Sequence, residues 1–344
     1  MIIPMDRVRR ACRIRHPIIR ESLAELIGTA TLVFFGDAAI ANNMIIGSTT
    51  ATVVNVPLGY ATALALAVYV SGGVSGGHVN PGVTLGMCLT GRCDLNRLLP
   101  FTIAQFLGGF LGAALTHGLF FDVFQDDSQH TDELYAAVFA TYPNGFISTG
   151  GAFLDQAMGT AMLLFGIMAV TDRRNMEVPK GGVGAAIGLV LFGVITASGS
   201  NTGAALNPAR DFSPRLYSYI IGYDNVFKAG DHFFWIPLVA CYVGAFIGAY
   251  LYFFCIEVHH PDELEETPAG LELQMTPADV KVTRPAPSQG HHNGGFRDDA
   301  DYSRGGGFPR DSRHQRGAGY PRDPGYPRDP DYPRSDAYRD NRYS

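Results

Sequence analysis

The sequence predicts an all-α membrane protein, with six transmembrane helices plus two re-entrant half-helices arranged as an inverted repeat. Three observations predict it. Long apolar runs fill the chain up to about Val258. Two Asn-Pro dipeptides, Asn80-Pro81 and Asn207-Pro208, sit in matching Gly-rich settings, one in each half. Each opens a segment too short to cross a bilayer.

A span needs about 20 mostly apolar residues. Six stretches qualify, roughly 20–44, 52–72, 98–121, 152–171, 181–199 and 233–256. The half-helices fall at about 80–90 and 207–217. The halves correspond in detail. Ala24-Glu25-Leu26-Ile27-Gly28-Thr29 matches Asp155-Gln156-Ala157-Met158-Gly159-Thr160, and Ser71-Gly72 and Ser198-Gly199 precede their Asn-Pro pairs by the same interval. Three spans plus a half-helix, repeated, place the halves in opposite membrane orientations. Such inverted repeats put a conduction path at their interface. Glycines recur at four-residue spacing in the pairs Gly108/Gly112, Gly184/Gly188 and Gly244/Gly248, as close helix crossings require.

Charge sets the expected orientation. Arg7, Arg9, Arg10, Arg13 and Arg15 precede the first span, Arg92 and Arg97 follow the second, and Arg173, Arg174 and Lys180 join the fourth and fifth. All fall on one side if the spans alternate. The loop 122–151 on the other side carries Asp122, Asp126, Asp127, Asp132 and Glu133. Both termini are therefore expected in the cytoplasm. Arg210 and Arg215 run against this pattern unless Arg210 is inside the membrane.

Three regions follow: a basic N-terminus (1–19), a channel domain (20–256) and a tail (257–344). The tail repeats Tyr-Pro-Arg-Asp at Tyr320, Tyr326 and, without the Asp, Tyr332. It has too little apolar surface to offset ordering entropy, so it is expected to be disordered, either as a solvated extension or as a segment for a cytoplasmic partner. A net charge of −6 with no basic patch argues against nucleic acid. Cys12, Cys88, Cys93, Cys241 and Cys255 form no metal or disulfide spacing and are expected as buried structural thiols. No nucleophile triad, nucleotide loop or metal cluster is evident, so no enzyme, cofactor or metal is expected. A coupled transporter would want more intramembrane carboxylates than Glu25 and Asp37.

Asn is among the best helix N-caps, and Pro fits the first helical position. Two half-helices would then start near the midplane from opposite sides, their positive dipole ends converging. The Asn amides are expected to donate to passing molecules, and the positive field to repel cations and break a proton wire. Arg210 would add a fixed charge, with an ion pair to a neighbour such as Asp211 as the alternative role. Glu25 and Gln156 are expected to hold the loop backbone. His78 is expected as a loop-packing or vestibule residue, with a pH gate as the sharper alternative.

On these residues the chain resembles the major intrinsic protein family, the aquaporins and aquaglyceroporins, over about residues 20–256. Asn207-Pro208-Ala209-Arg210-Asp211, together with Arg215, Pro237 and Leu238, is similar to the glycerol-facilitator branch. The resemblance implies an aquaporin-like bundle and a homotetramer with one pore per subunit. It departs at Asn80-Pro81-Gly82, where the family usually has Ala in third place. Gly82 would weaken the helix by up to about 1 kcal/mol and remove a methyl where the half-helices meet. Counting from the motifs, the resemblance assigns a selectivity filter to Tyr60, Ile195, Ala204 and Arg210, with Gly193 in place of Ile195 if the loop carries an insertion. The second filter aromatic of the branch is missing at Ala204, and Ile195 fills the space a Gly would leave.

The expected function is a passive channel for glycerol, other small uncharged solutes such as urea, and water, excluding ions and protons. The expected location is the plasma membrane, among its lipids. The alternatives are a water-selective pore, closed down by Tyr60 and Ile195, and a membrane scaffold acting through its tail.

Overall fold

The computed structural model describes residues 5–47, 52–125 and 132–261. The tail repeats, Asp126 and Asp127 lie outside the described residues. Every regular element described is helical. In order they are α1 (Met5–Cys12), α2 (Pro17–Ile46), α3 (Thr52–Ser75), α4 (Pro81–Leu89), α5 (Leu98–Leu119), α6 (Phe121–Phe124), α7 (Asp132–Phe139), α8 (Thr149–Thr171), α9 (Val183–Thr202), α10 (Pro208–Ile220), α11 (Ala229–His232) and α12 (Trp235–Cys255), with short 3-10 turns between some of them.

Six of these helices are long and apolar enough to cross a membrane: α2, α3, α5, α8, α9 and α12. They are the six expected spans, with ends shifted by a few residues. Their outer faces carry large bare apolar side chains such as Leu107, Leu189 and Phe246, Leu189 being 70% exposed. A water-soluble surface would not tolerate so continuous an apolar belt, whereas lipid does.

The glycine pairs set the crossings. A methyl placed on Gly108 would land 2.3 Å from the Leu26 carbonyl oxygen, and one on Gly112 would land 2.8 Å from that of Ala30, which brings α5 against α2. In the second half, Gly244 and Gly248 meet the carbonyls of Ala157 and Ala161 at 2.2 Å each, bringing α12 against α8. These are the same contacts in the two repeats. Gly184 and Gly188 join the halves by approaching Ala65 and Ala61 of α3. With no hydrophobic drive between helices in lipid, such close van der Waals approach supplies much of the association.

The half-helices α4 and α10 are inserted into this frame. Gly82 corrects an expectation. A methyl there would sit 3.3 Å from the Cys241 carbonyl oxygen and 3.5 Å from Ala245 Cβ. Its bare face is turned to α12 and not to the opposing half-helix. Cys88 and Cys241 are buried as expected, but Cys93 is half-buried and Cys12 and Cys255 are exposed; all five are free thiols.

At the end of the bundle that carries Arg92, charges tie three elements together. The Arg92 guanidinium pairs with Glu257 at 2.8 Å and lies 4.0 Å from Asp172. Asp172 also accepts from the Arg174 amide, the Tyr252 hydroxyl at 3.1 Å and His260 Nε2 at 2.9 Å. Burial pushes the Asp172 carboxyl up, but the hydrogen bonds from Arg174, His260 and Tyr252 outweigh it and hold the carboxyl below its ordinary value.

Two outcomes follow from this packing. Gly244→Ala must part α12 from α8 and should cost about 1–3 kcal/mol, read as a lower thermal midpoint in detergent. Gly193→Ala, with nothing within 4 Å of the added methyl, should leave the midpoint equal or higher. For Asp172, a depressed carboxyl contributes stability that is present above its unfolded pKa and lost as pH falls through the folded one. Asp172→Asn should therefore flatten the acid limb of the melting-point profile, and an unaltered acid limb would contradict the assignment.

Candidate functional site

The site is built where the two non-helical loops meet. Each loop must turn sharply to start its half-helix, and each does so through a residue in the left-handed region immediately before the Asn: Val79 (φ 46°) and Leu206 (φ 54°). Such backbone is unfavourable for side chains with a Cβ, and for a β-branched Val most of all. It persists only where surrounding contacts over-determine it.

Those contacts come from the matched polar residues of the first and fourth spans. Glu25 is fully buried and accepts from the Val79 amide at 2.7 Å, the His78 amide at 3.0 Å, Ser75 Oγ at 2.5 Å and Gln105 Nε2 at 2.8 Å. Gln156 is also fully buried; it accepts from the Leu206 amide at 3.1 Å and donates to Thr202 Oγ1 at 2.8 Å. The repeats thus use one device with two chemistries, a carboxylate in one half and an amide in the other. Asp155, one residue before Gln156, holds the second loop from its far side through Asn201 Nδ2 at 2.9 Å and Thr202 Oγ1 at 2.5 Å. Sequence reasoning missed Asp155 and Gln105. A polar side chain in an apolar span was the available signal for both.

The two Asn residues cap as their type predicts. Asn80 Oδ1 accepts from the Gly82 and Val83 amides at 2.8 and 3.4 Å, and Asn207 Oδ1 accepts from those of Ala209 and Arg210 at 3.0 and 3.2 Å. Pro81 and Pro208 occupy the first helical positions, where no amide is missed. The amide nitrogens depart from expectation, because they are not wholly free. Asn80 Nδ2 donates to the Leu206 carbonyl and Asn207 Nδ2 to the Val79 carbonyl, both at 2.8 Å. Each Asn ties down the strained residue of the opposite loop. One N–H of each amide is committed to this bond, which leaves one for other partners.

The two loops border a narrow cavity of about 30 Å³. Tyr60, Ile195, Ala204 and Arg210 line it, together with Asn80 and Asn207. Residues from the second span, the fifth span and both loops therefore reach one lumen. Gly193 does not. It lines a separate groove beside the exposed Leu154, Met158 and Met162. His78 borders the lumen, sets its Nδ1 3.2 Å from Thr84 Oγ1, and packs edge-on to Phe101.

Arg210 is buried, and its ion-pair partner is Asp37 and not Asp211, the neighbour named for its alternative role. Its guanidinium lies 4.4 Å from the Tyr60 ring centroid, and Nη1 lies 3.9 Å from Asp37 Oδ1 and 3.5 Å from the Phe139 carbonyl oxygen. Asp211 turns away from it. Asp211 accepts from the Thr141 amide and hydroxyl at 2.9 and 2.6 Å and pairs with Arg215 at 3.0 Å. Arg215 is fully buried, donates to the carbonyls of Val226 and Thr141, and stacks on Tyr142. Both arginines are thus inside the protein and do not count as loop charges against the orientation rule. Successive polar residues face in different directions here because the helical period separates them by about 100°.

With this geometry in view, the likeness to known proteins is direct. The major intrinsic protein family matches residues 14–252. Aquaporin-9 from Homo sapiens is 40% identical over 276 residues, covering 76% of this chain and 94% of that protein. Aquaglyceroporin-2 from Rhizophagus irregularis is 38% identical over 239 residues, covering 68% of this chain and 76% of that protein. The X-ray structure of the aquaglyceroporin from Plasmodium falciparum superposes with a TM-score of 0.64 at 31% identity, over 68% of this chain and 95% of that one. The duplicated half-helix architecture and these likenesses together make the chain an integral membrane protein that belongs to the major intrinsic protein family, a family of channels and not of enzymes.

Proposed function

We propose that this protein is a passive channel for glycerol and other small uncharged solutes, urea included, together with water, and that it excludes ions and protons. The observation that carries the reading is the convergence of two Asn-capped half-helices on one lumen walled by Tyr60, Ile195, Ala204 and Arg210. An aromatic ring and a branched aliphatic face a carbon backbone well. Arg210 and the remaining amide N–H groups of Asn80 and Asn207 serve hydroxyls. The helix N-termini and Arg210 make the lumen positive, which opposes cations and hydronium. The relatives named aquaglyceroporin support the same solute class.

The channel domain of this reading is residues 20–256, flanked by a basic N-terminus (1–19) and a tail (257–344). Both termini face the cytoplasm, on the strength of the basic residues in three same-side segments, and the membrane of this reading is the plasma membrane. Four copies assemble, each with its own pore, as the family resemblance implies. Protease added outside intact cells should then leave both termini uncut.

A water-selective pore is the second reading, favoured by the lumen's volume. The cavity measures about 30 Å³, and on this reading Tyr60 and Ile195 close it to glycerol. Stopped-flow light scattering on proteoliposomes separates the two. Glycerol equilibration well above that of empty vesicles supports the first reading. Water flow without glycerol flow supports the second, and Ile195→Gly should then raise glycerol flux by about tenfold, since one pocket-filling side chain is worth about 1–3 kcal/mol of discrimination.

A further inference from the structure

Asp37 is a buried carboxylate on the first span, with no role in the capping or loop-holding machinery. It is fully buried, and its Oδ2 has no partner among the described residues. A group of this kind is expensive inside a bilayer and calls for a function. Its Oδ1 accepts from the Tyr60 hydroxyl at 2.5 Å and lies 3.9 Å from Arg210 Nη1. Tyr60 and Arg210 both border the lumen, while Asp37 stands behind them. The neighbouring residue completes the seat. A methyl on Gly36 would fall 2.3 Å from Tyr60 Cε1, so the ring lies directly over bare backbone.

The geometry points to Asp37 as a specificity-determining positioning residue, one that sets what the lumen shows to a solute without touching the solute. A tyrosine can offer a pore either its ring or its hydroxyl. Here the hydroxyl is turned back and held by Asp37, so Tyr60 presents carbon. The same carboxylate faces Arg210, whose guanidinium stacks on the ring it holds. Tyr60 and Arg210 therefore act as one clamped pair, with an apolar wall beside a donor edge. That division suits a molecule with a hydrocarbon side and a hydroxyl side. The inference deepens the solute reading above and rests on it. It specifies a residue for which the sequence offered no role beyond its charge.

The test compares glycerol-to-water permeability ratios in proteoliposomes of wild type, Asp37→Ala, Asp37→Asn and the double variant Asp37→Ala/Tyr60→Phe, with water flux reporting that each is folded. Asp37→Ala frees the hydroxyl into the lumen and should lower the ratio about fivefold, as expected when one polar group is misplaced against a carbon face. Tyr60→Phe in that background removes the hydroxyl and should return about half of the loss or more, which no general loosening of the bundle would do. Asp37→Asn keeps an acceptor but loses the charge facing Arg210, and should lower the ratio about twofold. If Asp37→Ala does not fold, Asp37→Asn decides alone. A wild-type ratio in the folded single variants, or no recovery in the double variant, overturns the inference. Wild-type vesicles that pass water but not glycerol overturn only the solute reading. The variants are then read in water permeability, with circular dichroism melting reporting that each is folded: Asp37→Ala, whose freed Tyr60 side chain enters the lumen, should lower it, and an unchanged permeability overturns the inference. Wild-type vesicles that pass neither overturn both.

Discussion

Two hydrogen bonds of 2.8 Å, from Asn80 to the Leu206 carbonyl and from Asn207 to the Val79 carbonyl, are the joint on which the architecture depends. Each runs from one repeat into the other. Each ends on a residue whose backbone is strained, and whose own amide is held by Glu25 or Gln156. A loop in the middle of a bilayer has no water to satisfy it, so every polar group must find protein. The crossed asparagines meet that demand and fix the two helix starts against one another. Without them, nothing polar among the described residues would tie the start of one half-helix to the loop of the other.

The second constraint is the management of charge. Arg210, Arg215, Asp211, Asp37 and Glu25 are all buried. Lone charges at such positions would cost several kcal/mol each. They are instead distributed into three separate sets: Glu25 among backbone amides, Arg215 with Asp211 and two carbonyls, and Arg210 with Asp37 and an aromatic face. Arg215 and Asp211 brace the frame through Thr141 and Val226 and do not line the lumen. Arg210 is braced less completely, by one ion pair at 3.9 Å, one long hydrogen bond to the Phe139 carbonyl and a ring, and keeps spare hydrogen-bonding capacity. The two guanidiniums differ in how fully protein partners satisfy them.

Much of this was legible in the sequence. The spans, the half-helices and the caps follow from apolar length and from what Asn-Pro does to a chain. The matching of Glu25 with Gln156 followed from the internal repeat. Other features were not legible, for physical reasons. Gly82 looked like a gap between half-helices because sequence gives spacing and not direction; the bare face is turned to Cys241 and Ala245. Asp211 stood as the alternative partner of Arg210 because it is adjacent, whereas a helix points adjacent side chains apart. Asp37 is far from both Tyr60 and Arg210 along the chain, and no local pattern announces a contact that only packing creates. The amide N–H groups of Asn80 and Asn207 looked free because a motif read alone hides the carbonyl that the other repeat brings to it.

The glycine crossings have a consequence for how this protein can be regulated. Where α12 meets α8, and α5 meets α2, main chain lies on main chain with no compressible side chain between. Surfaces that touch this way lack alternative rotamers through which to slide or tilt, and packed cores do not deform continuously. The barrel around the lumen is in effect a fixed sleeve. Control over traffic through it must then act at individual side chains, at the mouths, or through how many copies the cell installs.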